Sequence, residues 1–217
     1  MKFKLILVTV LAFGSIAHAQ GFLSNLSVGA GFQGIFPGST FTKSLAEANQ
    51  PANTQTTTHS LGVVIDGRYD FGRHSALDLS LTINRDSEIF YEGEGGALTR
   101  VQTNNAEMIA SYVVRLPSTE KLKPYALIGG GMVRFSPNGT NYTTGDTNLP
   151  STQMKPAFAY GFGTDFRLSD NFDLRLQYRG LIRSDPDFGL LNNANSPFGT
   201  GLKTHVAEPS LQVVYHF

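Results

Sequence analysis

Cysteine and tryptophan are missing from these 217 residues. No disulfide can hold the fold, and no thiolate is available as a metal ligand. An excess of positive charge is missing too, since 17 Lys and Arg balance 17 Asp and Glu. Nucleic-acid binding normally needs a basic face, so no nucleic-acid partner is expected. Beyond residue 20 no apolar run reaches the ~20 residues of a spanning helix. Helical periodicity is scarce. What the chain does have is glycine, 23 residues, together with 16 Phe and 8 Tyr.

The N-terminus sets the compartment. Lys2 and Lys4 precede an apolar run from Leu5 to Phe13, and Ala17-His18-Ala19 is a small-x-small cleavage site. This three-part pattern predicts a secretory signal peptide over 1–19, removed on export, and one domain over 20–217. Loss of Lys2 and Lys4 leaves 15 basic against 17 acidic residues, a formal charge of −2.

The rest of the chain alternates apolar and polar residues in segments divided by turn formers, the pattern of antiparallel strands. Eight segments are predicted, near 22–36, 59–71, 76–91, 99–116, 123–136, 154–168, 172–183 and 204–217. Their connections alternate in length. The short ones are 72–75, 117–121 and 169–171; the long ones are 37–58, 92–97, 137–153 and 184–203. Antiparallel neighbours reverse at each turn, so all short turns fall at one end and all long loops at the other. The fold class predicted is all-β, an eight-stranded antiparallel up-and-down transmembrane barrel with periplasmic turns and extracellular loops.

The barrel is expected to be apolar outside and polar inside. An eight-stranded interior is just wide enough for side chains. It could not take Leu77, Leu79, Leu81, Phe158, Tyr160, Phe162, Leu174, Leu176 and Tyr178 together without overpacking. In the fifth segment Tyr125, Leu127, Val133 and Phe135 are read as the apolar, outer face. Charges left inside must pair, because a lone buried charge is costly. The expected lumen network comprises Asp66, Arg68, Asp78, Glu107, Arg134, Asp165, Arg167, Asp173, Arg175 and Arg179.

The final strand puts Leu211, Val213, Tyr215 and Phe217 on the lipid side and Gln212 and His216 on the lumen side. This aromatic terminal strand is expected to close the barrel and to serve as the signal read by the barrel-assembly machinery.

Catalysis has little support. His59-Ser60 and His74-Ser75 are the His-Ser pairs; His59 with Ser60 and a loop acid could converge, but nothing in the spacing demands it. No His and carboxylate cluster has metal-ligand spacing, and Asp185-Pro186-Asp187 with Asn192-Asn193 reads as a solvated loop. No enzyme, catalytic residue, metal site or cofactor is expected.

Lys123-Pro124-Tyr125-Ala126-Leu127-Ile128-Gly129-Gly130-Gly131 and Tyr160-Gly161-Phe162-Gly163-Thr164-Asp165-Phe166-Arg167-Leu168 resemble the small outer-membrane β-barrel family related to the OmpA transmembrane domain. So does Asp170-Asn171-Phe172-Asp173-Leu174-Arg175-Leu176-Gln177-Tyr178-Arg179. The resemblance implies an integral protein of a Gram-negative outer membrane, with outer-membrane lipids as partners. It does not choose among structural, adhesive and permeability roles. The expectation is a structural or surface-interaction role through four long loops, with the extracellular partner open. The alternative is a narrow pore or small hydrophobic-solute conduit. A soluble lipocalin-like carrier and a lipid-modifying enzyme are less favoured.

Overall fold

The computed structural model describes residues 23–38, 54–91, 98–141, 150–188, 192–193, 196–197 and 203–217. The segment expected to be a signal peptide, 1–19, and most of the four long connections lie outside these residues.

Eight long strands form the wall: β1 Leu26–Pro37, β2 Ser60–Asp70, β3 Ser75–Tyr91, β4 Leu98–Arg115, β5 Leu122–Asn141, β6 Gln153–Arg167, β7 Phe172–Ser184 and β8 Lys203–His216. Each pairs antiparallel with its sequence neighbour, and β8 pairs back onto β1, so the sheet closes. The closing register runs from Ser27 opposite His216 to Pro37 opposite Val206. A four-residue strand, Thr54–Thr57, continues the β2 ladder along the far end of β3. A two-residue hairpin, 192–193 with 196–197, stands apart from the wall. Closure leaves no unpaired edge in the wall, which is what a sheet needs to cross lipid.

The three short turns, the start of β1 and the end of β8 share one end of the barrel. Turn chemistry accounts for the tightness: Ser169 Oγ accepts the Phe172 amide, and Thr119 Oγ1 accepts the Leu122 amide.

Outside and inside are inverted relative to a water-soluble barrel. Leu61, Leu79, Phe162 and Leu176 on the outer wall are 68, 54, 64 and 52% exposed. Arg68, Arg175, Arg179 and Arg183, facing inward, are at most 2% exposed. So much contiguous exposed apolar surface is untenable in water and natural against hydrocarbon. Aromatic rings gather at the lower margin, where Tyr215 lies 5.3 Å from Phe172 and 5.0 Å from Phe217.

One strand departs from the expected facing. In β5, Tyr125, Leu127, Val133 and Phe135 are buried inside, while Ile128 and Met132 face out. The Gly129-Gly130-Gly131 run hides the parity. Gly129 and Gly131 turn inward, where an added Cβ would strike the Ala110 and Met108 carbonyl oxygens. Gly130 faces outward, where an added Cβ would meet the Ala157 carbonyl oxygen at an ordinary contact distance of 3.4 Å.

Candidate functional site

The lumen is filled by tiers of guanidinium and carboxyl groups. β7 sets their spacing. Arg175, Arg179 and Arg183 lie four residues apart on one face, hence roughly 13 Å from one to the next. Each enters its own acidic set.

The lowest tier is the densest. Arg175 donates to Asp165 (Nε–Oδ1, 2.8 Å) and to Asp66 (Nη1–Oδ2, 2.6 Å). Arg68 donates to Asp78 (2.9 Å) and approaches Asp165 at 3.5 Å. Tyr125 packs against both guanidiniums, at 4.3 Å from Arg68 and 5.9 Å from Arg175, and its hydroxyl donates to Gln177 (2.8 Å). The ring supplies a π face that a carboxylate cannot.

In the middle tier Arg179 bridges two strands. It holds Glu208 of β8 at 2.6 Å and Glu107 of β4 at 2.9 Å, and donates to Ser80 at 2.9 Å. In the upper tier Arg183 lies 4.8 Å over the Phe135 ring, with Glu88 at 3.5 Å and Asp86 at 3.8 Å. Glu88 also accepts the Thr57 hydroxyl (2.8 Å), which ties the four-residue strand to the wall.

Each tier therefore holds one carboxyl more than it has guanidiniums. The lowest sets Asp66, Asp78 and Asp165 against two arginines, and the others set two acids against one.

Around the middle and upper arginine tiers the lumen wall is apolar, with Val133 in register with Glu107 and Leu181 between Arg179 and Arg183. Ile35, Phe90, Val101, Val133, Phe135, Leu181, Phe188 and Val206 form one buried cluster. Phe188 has a φ of 54°, unusual for a residue with a Cβ, and costing on the order of 1–2 kcal/mol. It is held by edge-on contacts to Phe90 (6.3 Å) and Phe135 (6.5 Å). Ser151 donates to its carbonyl through both N–H (2.8 Å) and Oγ–H (3.0 Å). Asp185, just past β7, accepts the Thr204 hydroxyl at 2.7 Å, and burial pushes its carboxyl above the usual range. At the opposite mouth, Arg115 grips Asp70 through both carboxylate oxygens, and Asp173 takes Lys123 (3.0 Å) and His216 (2.9 Å).

Of the ten residues expected in the lumen network, Asp66, Arg68, Asp78, Glu107, Asp165, Arg175 and Arg179 meet there. Asp173 is buried but belongs to the mouth. Arg134 and Arg167 are exposed and do not join. Arg134 follows the outward parity of Met132 in β5. Arg167 ends β6 and flares at the turn rim. Five participants were not foreseen: Asp86, Glu88, Arg183, Glu208 and Tyr125. Arg183 continues the four-residue spacing of Arg175 and Arg179, and Glu208 shares the even parity of Gln212. Both signals stand in the sequence. Leu211, Val213, Tyr215 and Phe217 all face outward as expected. The His59 ring packs on Phe36 at 5.6 Å, and Ser60 Oγ accepts the Asn84 amide at 3.1 Å.

A closed antiparallel wall, apolar outside and filled with paired charge inside, defines a transmembrane β-barrel of the outer-membrane kind. Residues 5–217 match the family described as the outer membrane protein beta-barrel domain, and the chain belongs to it. It is a protein of the outer membrane of a Gram-negative bacterium. Neisserial surface protein A is similar in fold, with a TM-score of 0.56 and 17% identity over 89% of this chain and 98% of that one. OprG of Pseudomonas aeruginosa gives 0.55 and 15% over 90% and 97%. Ail of Yersinia pestis, solved with the heparin analogue sucrose octasulfate, gives 0.50 and 17% over 88% and 97%. No curated protein sequence matches significantly.

Proposed function

We propose that this barrel is a scaffold that presents its four long connections at the cell surface for a structural or surface-interaction role, and is not a conduit. The observation behind this reading is the packing of the lumen. Three arginine tiers and the Phe90–Phe135–Phe188 lid occupy it over its length. Eight strands leave little room beside such side chains.

The connections have their own chemistry. Residues 39–53, 142–149 and 189–202 are rich in Asn, Thr, Ser and Gly. Such segments offer hydrogen bonds to a glycan or protein surface with little electrostatic steering. The geometry of the described residues supports no catalytic role: His59 and Ser60 turn to different neighbours.

The test replaces each long connection in turn with a tight two-residue turn. Cells carrying each variant are then scored for attachment to glycan- and matrix-coated surfaces and for envelope integrity. The expected result is a folded barrel in every case, with loss of attachment or integrity confined to particular connections. If all four replacements leave both readouts unchanged, the surface role is wrong.

A further inference from the structure

The short-turn rim carries a basic cleft that none of the lumen tiers uses. Its volume is about 230 Å³, and its lining includes Arg73, Arg115, Leu116, Glu120, Lys123 and Arg167. Backbone bonds hold its walls in place. The Arg115 amide donates to the His74 carbonyl (2.9 Å), Leu116 to Pro124 (2.9 Å) and Arg167 to Lys121 (3.0 Å). These three bonds join the 71–74 turn, the 116–121 turn and the end of β6 into one frame.

The cations divide into two pairs. Arg115 is neutralised by Asp70 and Lys123 by Asp173. Arg73 and Arg167 are exposed, and among the described residues no carboxylate lies within ion-pair distance of either. Two unpaired guanidiniums, from the 71–74 turn and the end of β6, against the single carboxylate of Glu120, leave the cleft positive. A guanidinium fork suits phosphate oxygens in a way that a lysine does not. Beside the cleft the outer wall is apolar: Leu116 is 46% exposed, and Phe71, Tyr112, Phe166 and Leu168 are exposed at the same margin.

We propose that this cleft is a phosphate-binding site, sized and placed for the headgroup of an anionic phospholipid in the periplasmic leaflet. Short turns mark the periplasmic end, so the cleft stands at headgroup depth with acyl chains able to lie along Phe71 and Leu116. Arg73 and Arg167 clamp the phosphate oxygens, and Arg115 and Lys123 set the field behind them. The site would tether the rim to the inner leaflet while the long connections face outward.

The experiment uses the folded full-length barrel in neutral detergent, with phosphatidylglycerol as probe and native mass spectrometry counting retained lipid. Inorganic phosphate and glycerol phosphate serve as soluble competitors, and phosphatidylcholine as the neutral control. Wild type should retain one phosphatidylglycerol in preference to phosphatidylcholine. The double variant Arg73→Ser/Arg167→Ser should bind about tenfold more weakly or worse, while Arg100→Ser at the other end of the barrel should not change it. Displacement by inorganic phosphate would confirm that the phosphate is the recognised group. Tighter binding of glycerol phosphate than of the lipid would keep the phosphate site and assign it to a soluble phosphoester. Equal retention by wild type and the double variant, or no binding of any phosphate probe, overturns the proposal. Arg73 and Arg167 make no ion pair that folding needs, so the heat-dependent gel shift of the variant should stay intact and separate binding loss from misfolding.

Discussion

The guanidinium of Arg68 lies 4.3 Å above the ring of Tyr125, and both side chains are sealed inside the barrel. The tyrosine thus belongs to the charge network. Tyr125→Phe keeps the stacking and strands the Gln177 carbonyl oxygen, so it should cost about 1–2 kcal/mol. Tyr125→Leu also removes the π face and should cost about 2–4 kcal/mol in total. Urea unfolding in lipid vesicles reads both values. Equal stability of the two variants would deny the stacking a role.

Arg179 carries the middle tier. Its replacement by Met leaves Glu107 and Glu208 facing each other without a cation, an arrangement expected to cost about 3–5 kcal/mol. The triple variant Arg179→Met/Glu107→Gln/Glu208→Gln removes the stranded charge and should recover most of that loss. The same unfolding measurement decides the matter. If the triple variant is no more stable than the single one, charge pairing does not hold this tier together.

The strand count, the alternation of turn lengths and the outward face of seven strands were legible because lipid on one side and packed charge on the other impose a period of two. That logic failed where the lumen itself is apolar. Tyr125 and Phe135 look like lipid-facing rings by hydropathy, yet each covers a buried guanidinium, Arg68 and Arg183 respectively. Gly129, Gly130 and Gly131 carry no side chain to betray the parity, so hydropathy alone puts Arg134 on the wrong side of the wall. Arg167 has lumen parity but stands past the last lumen layer, and parity says nothing of depth. Glu88 is paired through a tertiary arrangement, the Thr54–Thr57 strand beside β3, that no local pattern announces. Phe188 sits in a segment without strand periodicity, and only its left-handed backbone aims it at the lid.

Asp185 makes the upper rim pH-sensitive. Burial raises its native carboxyl above the unfolded value, so its stability contribution is complete at low pH and is lost as pH rises through the raised native value. Asp185→Asn keeps an acceptor for Thr204 and cannot ionise. The variant should be at least as stable as wild type near neutrality and should lose that advantage below about pH 4, where the unfolded carboxyl also protonates. Unfolding midpoints across this range check the sign. A variant less stable than wild type at neutral pH would mean that the ionised carboxylate is favoured there.

The closing strand should matter more to assembly than any long connection. Phe217 packs on Tyr215, which packs on Phe172, at the lower margin of the seam. Deleting Phe217 should lower the heat-modifiable fraction in the outer membrane several-fold, while trimming a long connection leaves it unchanged. Normal assembly of the truncated chain would remove this strand's role as the assembly signal.

Conductance across a planar bilayer tests the central claim most directly. The wild-type barrel, with its arginine tiers and its Phe90–Phe135–Phe188 lid, should give no discrete current steps. Phe135→Ala/Phe188→Gly, which removes the lid over a lumen with more carboxyls than guanidiniums, should give small cation-selective currents at most. Reproducible channel openings by the wild-type protein would contradict a sealed scaffold and restore the pore.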